Sequence, residues 1–339
     1  PPLGAHAKRE GGNLTWSTRR PPRMAATATP AAAAPGTSVV EAEGGLPAVR
    51  MVAPNADTAL VYLHGATVAS AVIGGIERIF MSSSAVYNGA KALRGGIPVC
   101  APQFGKPADG YEGMPQHGVC RISPWTFGGG AVDDAGTVVA TFGLAAADVP
   151  EAQRASFPYA FGFTYVVRLG NGSIACELTV ENAGSEAFRF QCLLHTYLRV
   201  PHISHARVLG LKGSRFFDKV ANTADNLEER GAVTVTSEVD RVYSSVANDV
   251  CVSVVDPADP SAVRVMTVSK TATSTDAEGT TSALPVDVVV WNIWERAVDM
   301  ADMQDDGFNF YVCVEPGVTS WTSVPAGGSV TLSQVIRAW

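Results

Sequence analysis

Phe163-Thr164-Tyr165-Val166-Val167-Arg168-Leu169, then Gly170-Asn171-Gly172-Ser173, then Ile174-Ala175-Cys176-Glu177-Leu178-Thr179-Val180 is the stretch that decides the fold class. Apolar residues alternate on both arms and a Gly-rich turn lies between them, so the segment reads as a β-hairpin. Outward from it, similar runs occupy residues 233–243, 250–255, 263–269, 286–294, 308–314 and 330–336. Turn clusters such as Asp256-Pro257-Ala258-Asp259-Pro260 separate them. Helical periodicity is scarce, and residues 145–155 have room for one short helix at best. Many short strands with frequent Gly and Pro predict an all-β chain, a sandwich or a barrel. No linker divides residues 38–339, which are expected to form a single domain.

Bulk properties narrow the function. Hydrophobic residues make up 46% of the 339 and charged residues 17%, the balance of a chain that buries a core. The formal net charge of −7 argues against a nucleic-acid partner, which requires a basic stripe. It leaves room for a small anion, since two well-placed arginines suffice for one phosphate. No apolar run approaches the ~18 residues of a membrane-spanning helix, so no membrane partner is expected. Cys100, Cys120, Cys176, Cys192, Cys251 and Cys313 form no C-x-x-C pair and read as reduced, mostly buried thiols.

Residues 1–37 differ from the rest, with Arg9, Arg19, Arg20 and Arg23 against the one acid Glu10, and an Ala-rich run at 25–34. Such a segment cannot build a core and is expected to be a disordered extension. It reads either as a plastid transit peptide or as sequence upstream of a native start at Met24. Sparse serine favours the second. A cytoplasmic location follows from that reading, and a plastid from the other.

Phosphate loops, dinucleotide turns, nucleophile elbows and zinc helices are absent from the sequence. His202 and His205 lack neighbouring ligands and read as a surface loop rather than a metal site. Asn13-Leu14-Thr15 and Asn171-Gly172-Ser173 match the glycosylation sequon, without consequence in a cytosolic protein. Four segments place polar groups where strand logic predicts burial or a cleft. In Arg94-Gly95-Gly96-Ile97-Pro98-Val99-Cys100-Ala101-Pro102-Gln103-Phe104-Gly105, paired glycines allow close approach of backbone to a ligand and Arg94 can fork onto a phosphate; an ordinary loop is the other reading. Pro115-Gln116-His117-Gly118-Val119-Cys120-Arg121 concentrates three ligand-capable side chains, or is a polar turn.

In the third segment, 188–197, alternation puts Phe188, Phe190, Cys192 and Leu194 on one face. Arg189, Gln191, Leu193, His195 and Tyr197 share the other, where His195 lines a wet cleft or is hydrogen-bonded in the core. In the fourth, Phe310, Val312 and Val314 alternate with Tyr311, Cys313 and Glu315 before Pro316-Gly317. Glu315 is either a carboxylate desolvated toward the range of a general base or a structural ion-pair partner.

Together and in this order, R-G-G-I-P-V-C-x-P-Q-F-G-K, P-Q-H-G-x-x-R, L-H-T-Y-x-R-V and V-E-P-G resemble the hexose-6-phosphate mutarotase branch of the aldose 1-epimerase superfamily. Trp291-Asn292-Ile293-Trp294 and Ser237-Glu238-Val239-Asp240-Arg241-Val242-Tyr243 add to the likeness, which runs from about Val49 to Trp339. The resemblance implies a large twisted antiparallel β-sandwich and interconversion of the anomers of glucose 6-phosphate. It implies His195 and Glu315 as the catalytic pair and Arg94, Gln116, Arg121, Asp240 and His117 as substrate-binding residues. It further implies no cofactor, no metal and a monomeric protein whose partner is a sugar phosphate. The chain departs from the pattern at Ala101, where relatives carry an aromatic residue, so looser packing beneath the sugar is expected. A free-aldose mutarotase and a non-catalytic sugar-phosphate binder on the same scaffold remain the alternatives.

Overall fold

In a computed structural model, residues 34–108, 110–255 and 263–339 are described. The hairpin forms as read. Phe161–Gly170 pairs antiparallel with Ser173–Asn182, from Gly170 opposite Ser173 to Phe161 opposite Asn182. Asn171 and Gly172 bridge them with φ of 52° and 70°, the paired left-handed geometry of a two-residue hairpin turn. Both arms alternate between buried and half-buried residues, so one face of the hairpin packs inward.

That hairpin lies inside a ten-stranded sheet. Beyond Ser173–Asn182 come Ser329–Ala338, Val263–Thr275 and Val250–Val255; beyond Phe161–Gly170 come Val138–Ala145 and Thr126–Val132. A second sheet has eight strands, with Val239–Tyr243, Asp287–Asn292, Tyr311–Val324 and Phe188–Leu194 at its centre. A third, of five strands, is a meander from Gly36–Glu41 to Ile76–Glu77. All named strand pairs are antiparallel. The two large sheets share one core, in which Tyr165, Leu178 and Leu332 meet Phe190, Leu194, Val288 and Val314. Thr196 Oγ1 donates to Gln334 Oε1 at 3.0 Å and ties the sheets together through a buried polar contact. The molecule is a β-sandwich, and residues Ala33–Trp339 form one compact unit.

Boundaries moved where the apolar pattern outran the strand. Phe308 and Phe310 belong to a 3-10 turn, Gly307–Phe310, and the strand begins at Tyr311. Residues 233–243 split into Ala232–Val233 and Val239–Tyr243. The segment 145–155 holds a 3-10 turn and the single helical turn Glu151–Arg154. Strand Gly36–Glu41 begins inside the expected extension; most of that extension, Asn13 and the 256–260 turn cluster lie outside the described residues.

All six cysteines are free, and all but Cys251 are buried. Burial pushes the Cys100 and Cys192 thiols up to about 12 and Cys176 to about 11. Such thiols are poor nucleophiles at neutral pH. Iodoacetamide is therefore expected to modify only Cys251 in the folded protein and the others after unfolding, as read by mass spectrometry. Modification of any buried thiol without unfolding would contradict that burial.

Candidate active site

The polar face of the eight-stranded sheet carries the site, and strand register explains why. Tyr311–Val324 pairs with the chain around His195 in one continuous register, with Leu193 opposite Gly317 and Tyr197 opposite Cys313. Midway between these pairs, His195 stands opposite Glu315. The backbone confirms the pairing, since Val314 N–H donates to Thr196 O at 3.1 Å; on its other edge His195 N–H donates to Pro98 O at 3.0 Å. On the other side Val289 faces Glu315 and Trp291 faces both Cys313 and Asp240. Two adjacent rows, Val289–Glu315–His195 and Asp240–Trp291–Cys313–Tyr197, thus share one face. The opposite face sends Cys192, Leu194, Val312 and Val314 into the core. The alternation expected of 188–197 and 311–315 is the one observed, and Leu193 packs with Cys100 and Val289 on the cleft side.

Above these rows lies a cleft of about 300 Å³, the size of a small-ligand site. It is lined by His195, Glu315, Arg94, Gln116, His117, Arg121 and Asp240, so the residues expected to act on or bind a sugar reach the same cavity. Lys219, Glu238, Arg296, Trp291 and Phe104 complete much of its wall. His195 Nδ1 lies 3.4 Å from Glu315 Oε1, with side-chain exposures of 11% and 1%. The two atoms are in close contact but not aligned for a hydrogen bond, and neither has another partner among the described residues. Burial pushes the Glu315 carboxyl well above its ordinary range, and the Asp240 charge adds to the rise. It also holds the His195 imidazole well below its ordinary value, with His117, Arg121 and Arg94 adding to the drop. Both groups are pressed toward their neutral forms, so the pair holds one proton.

Aromatic rings fix the imidazole. His195 stacks on Tyr197 with centroids 4.9 Å apart and meets the edge of Trp291 at 5.6 Å. His117 lies 5.8 Å from it, edge to face. The His117 backbone is left-handed, φ 66°, and its Nδ1 accepts the Gly105 N–H at 3.3 Å, which places any ring proton on Nε2. Gly118, next in the chain, has φ +73° and room for no Cβ, since one would sit 2.1 Å from Ala101 O. Gly118→Ala is expected to cost at least ~1–3 kcal/mol of backbone strain. A lowered urea midpoint would register this; an unchanged midpoint would mean the loop is not held there.

Charges in the cleft are mostly paired. Arg94 forks onto Asp302, with Nε to Oδ1 at 3.0 Å and Nη2 to Oδ2 at 3.3 Å, and Nη1 reaches Tyr197 Oη at 3.4 Å. Lys219 Nζ lies 3.0 Å from Asp240 Oδ2, and Arg296 Nη1 donates to both oxygens of Glu238 at 3.0 Å. Arg121 differs: Nη2 donates to Gln116 O at 2.8 Å, Nε is buried without a partner, and no acid among the described residues pairs with it. Asp240 Oδ1 is also buried and unpartnered. Buried polar atoms in native proteins are nearly always satisfied, so four such atoms in one cleft mark a place for a polar ligand.

One expectation changes. Gly95 and Gly96 do not serve a ligand; a Cβ would lie 2.4 Å from Phe80 O at the first and 2.6 Å from Val68 O at the second. They are needed where two chain segments touch. Ala101 is fully buried in the core, and its carbonyl accepts from Val119 and Cys120 N–H at 2.9 and 3.2 Å. His195, Cys313 and Glu315 bring three ligand-type atoms within 4.8 Å of one another. Burial pushes the Cys313 thiol and the Glu315 carboxyl up from their ordinary values, so a metal here would have to displace a proton from each. His202 Nδ1 lies 2.8 Å from Ser204 Oγ in a surface turn.

A family model for aldose 1-epimerase matches residues 47–337. A Salmonella typhimurium protein named "Putative glucose-6-phosphate 1-epimerase" is 33% identical over 244 residues, 72% of this chain and 73% of that protein. One of the same name from Cenchrus ciliaris is 30% identical over 288 residues, covering 83% and 81%. The crystal structure of a "putative mutarotase" from Salmonella typhimurium matches with a TM-score of 0.72 at 27% identity, covering 89% and 96%. A galactose mutarotase-like protein from Clostridium acetobutylicum gives a TM-score of 0.62 at 16% identity over 89% and 97%, a likeness of fold. No helix among the described residues is long and apolar enough to cross a membrane. With the motifs, the β-sandwich and these relatives in agreement, the chain belongs to the aldose 1-epimerase family, isomerases that act on carbohydrates.

Proposed function

We propose that this cleft interconverts the α and β anomers of an aldohexose 6-phosphate such as glucose 6-phosphate. The observation that carries the reading is the cross-strand contact of His195 and Glu315 in a cleft that also holds an acid-free Arg121. The names of the Salmonella and Cenchrus relatives support the same substrate.

Anomer exchange opens and recloses the pyranose ring. A base removes the proton from the anomeric hydroxyl, that oxygen's electrons form the aldehyde C=O, and the C1–O5 bond breaks as an acid protonates O5. Rotation about C1–C2 presents the other face of the carbonyl, and the same transfers in reverse close the ring. Glu315 is assigned as base and His195 as acid in opening, which requires the pair's one proton to pass from Glu315 to His195 across their 3.4 Å contact before the ring opens, with the roles exchanged in closure. A pair that shares one proton suits this cycle, because each turnover returns that proton to where it began. Each group contributes typically ~10²–10⁴-fold. Only protons move and one C–O bond breaks and reforms, so no redox equivalent is consumed.

Arg121 is assigned to the 6-phosphate, where its partnerless Nε and its charge find an acceptor, with Arg94 beside it and held ready by Asp302. Gln116, His117 and Asp240 are assigned to sugar hydroxyls. Anchoring the remote phosphate orients C1 between acid and base. Turnover on glucose, galactose, mannose and their 6-phosphates tests the reading. The 6-phosphates are expected to show the higher kcat/KM; equal or greater values for free hexoses would point to a free-aldose mutarotase.

A further inference from the structure

A second cavity, of about 180 Å³, lies where strand Ile76–Glu77 meets the end of strand Tyr197–Arg199 and the start of strand Val263–Thr275. Three arginines line it: Arg78, Arg199 and Arg264. Arg78 is 6% exposed; its Nε and Nη2 both donate to Ile73 O, at 3.3 and 3.2 Å, and its Nη1 has no hydrogen bond among the described residues. Arg199 donates from Nε to Ile79 O at 3.4 Å, and its guanidinium carbon lies 5.7 Å from the centre of the Phe80 ring. None of the three forms an ion pair with a carboxylate among the described residues. Glu77 also lines the cavity, but its oxygens are engaged: Oε1 accepts the Ala71 and Ile79 N–H groups at 2.9 Å each, and Oε2 the Ser70 hydroxyl.

Three like charges around one small cavity repel, in a protein whose net charge is −7. Burial, and after it the Arg264 charge, push Arg78 below its ordinary value, and the Asp57 charge offsets this only in part. A bound anion removes that cost and gives the free guanidinium nitrogens an acceptor. Val200, Met266 and Phe310 add apolar surface to the same lining. The volume is below the ~300–1,000 Å³ of drug-sized ligand sites, which restricts the occupant to a small molecule.

We propose that Arg78, Arg199 and Arg264 form a second ligand site, separate from the catalytic cleft, for a small phosphate monoester with an apolar substituent. The phosphate dianion meets the three guanidinium groups and the substituent lies on Val200, Met266 and Phe310. None of these residues lines the cleft that holds His195 and Glu315, and the proposal does not depend on the reaction assigned there.

Calorimetric titration of the full chain with phenyl phosphate at low salt tests this, because stoichiometry separates the two sites. The expected result is a site that survives Arg121→Met and is weakened about tenfold or more by R199M/R264M, which replaces the two exposed arginines. R199K/R264K is expected to recover part of the affinity, while R199M/R264M leaves anomer exchange on glucose 6-phosphate unchanged. Benzoate and inorganic phosphate are expected to bind this site more weakly than phenyl phosphate. The proposal is overturned if all phenyl phosphate binding is lost in Arg121→Met, or if R199M/R264M binds as the wild type does. Equal binding of benzoate would overturn the assignment to phosphate. A protein that binds phenyl phosphate only through the arginine cavity would keep this proposal and remove phosphate recognition from the cleft.

Discussion

Glu315→Gln is expected to lower anomer exchange on glucose 6-phosphate by ~10²–10⁴-fold, the range for loss of one acid–base group. The side chain is 1% exposed and nearly the same size as glutamine, so packing beside Val289 and His195 is kept. The amide can still hydrogen-bond a sugar hydroxyl but cannot take a proton. Glucose 6-phosphate binding measured by calorimetry is therefore expected to stay within a few-fold of the wild type while the exchange rate falls. Such a split would place the loss in the transition state instead of ground-state binding. Full exchange in this variant, read by saturation transfer between the anomeric protons, would remove Glu315 from the chemistry.

The second large effect is expected at Arg121. Arg121→Met removes a charged hydrogen-bond donor worth roughly 1.5–3 kcal/mol, or about 10- to 150-fold in kcat/KM on glucose 6-phosphate. Phosphate is remote from C1 but orients it between acid and base, so the loss is expected in both KM and kcat. Free glucose makes no such contact and is expected to react within about twofold of the wild-type rate. Equal losses on both substrates in a coupled anomer assay would show that Arg121 shapes the cleft instead of reading the phosphate. Arg94 is a less clean probe. Its replacement leaves Asp302 without its partner and frees Tyr197, so a loss there mixes recognition with structure.

Alternation of apolar residues was enough to find the hairpin around Asn171 and to put His195 and Glu315 on the cleft side of their strands. The hairpin arms run ten residues each, and period-2 patterning is a strong signal when one face is buried. Pattern could not show that the two side chains stand opposite each other. That depends on the register Leu193–Gly317, a pairing between segments far apart in the chain. Strand ends were less legible, because a buried 3-10 turn such as Gly307–Phe310 is as apolar as a strand.

Partners of charged residues were hidden for a similar reason. Nothing near Arg94 in the sequence announces Asp302, which sits among Asp299, Asp305 and Asp306 in a run that reads as a solvated acidic loop. Lys219 follows strand Arg215–Asp218 with no distinguishing motif, and its backbone N–H on Asp240 O at 2.8 Å is what carries it to the cleft. Gly95 and Gly96 show the converse error. A pair of glycines beside an arginine suggests a ligand cradle, but what they accommodate here is the backbone of Phe80 and Val68.

The claim on which the account stands is that His195 and Glu315 act as one proton-transferring unit on a single hexose. Exchange spectroscopy on glucose 6-phosphate with His195→Asn, Glu315→Gln and the double variant measures it. If the pair works as a unit, the double variant exchanges anomers about as slowly as the slower single variant. Losses that multiply, or wild-type exchange no faster than buffer, would contradict it.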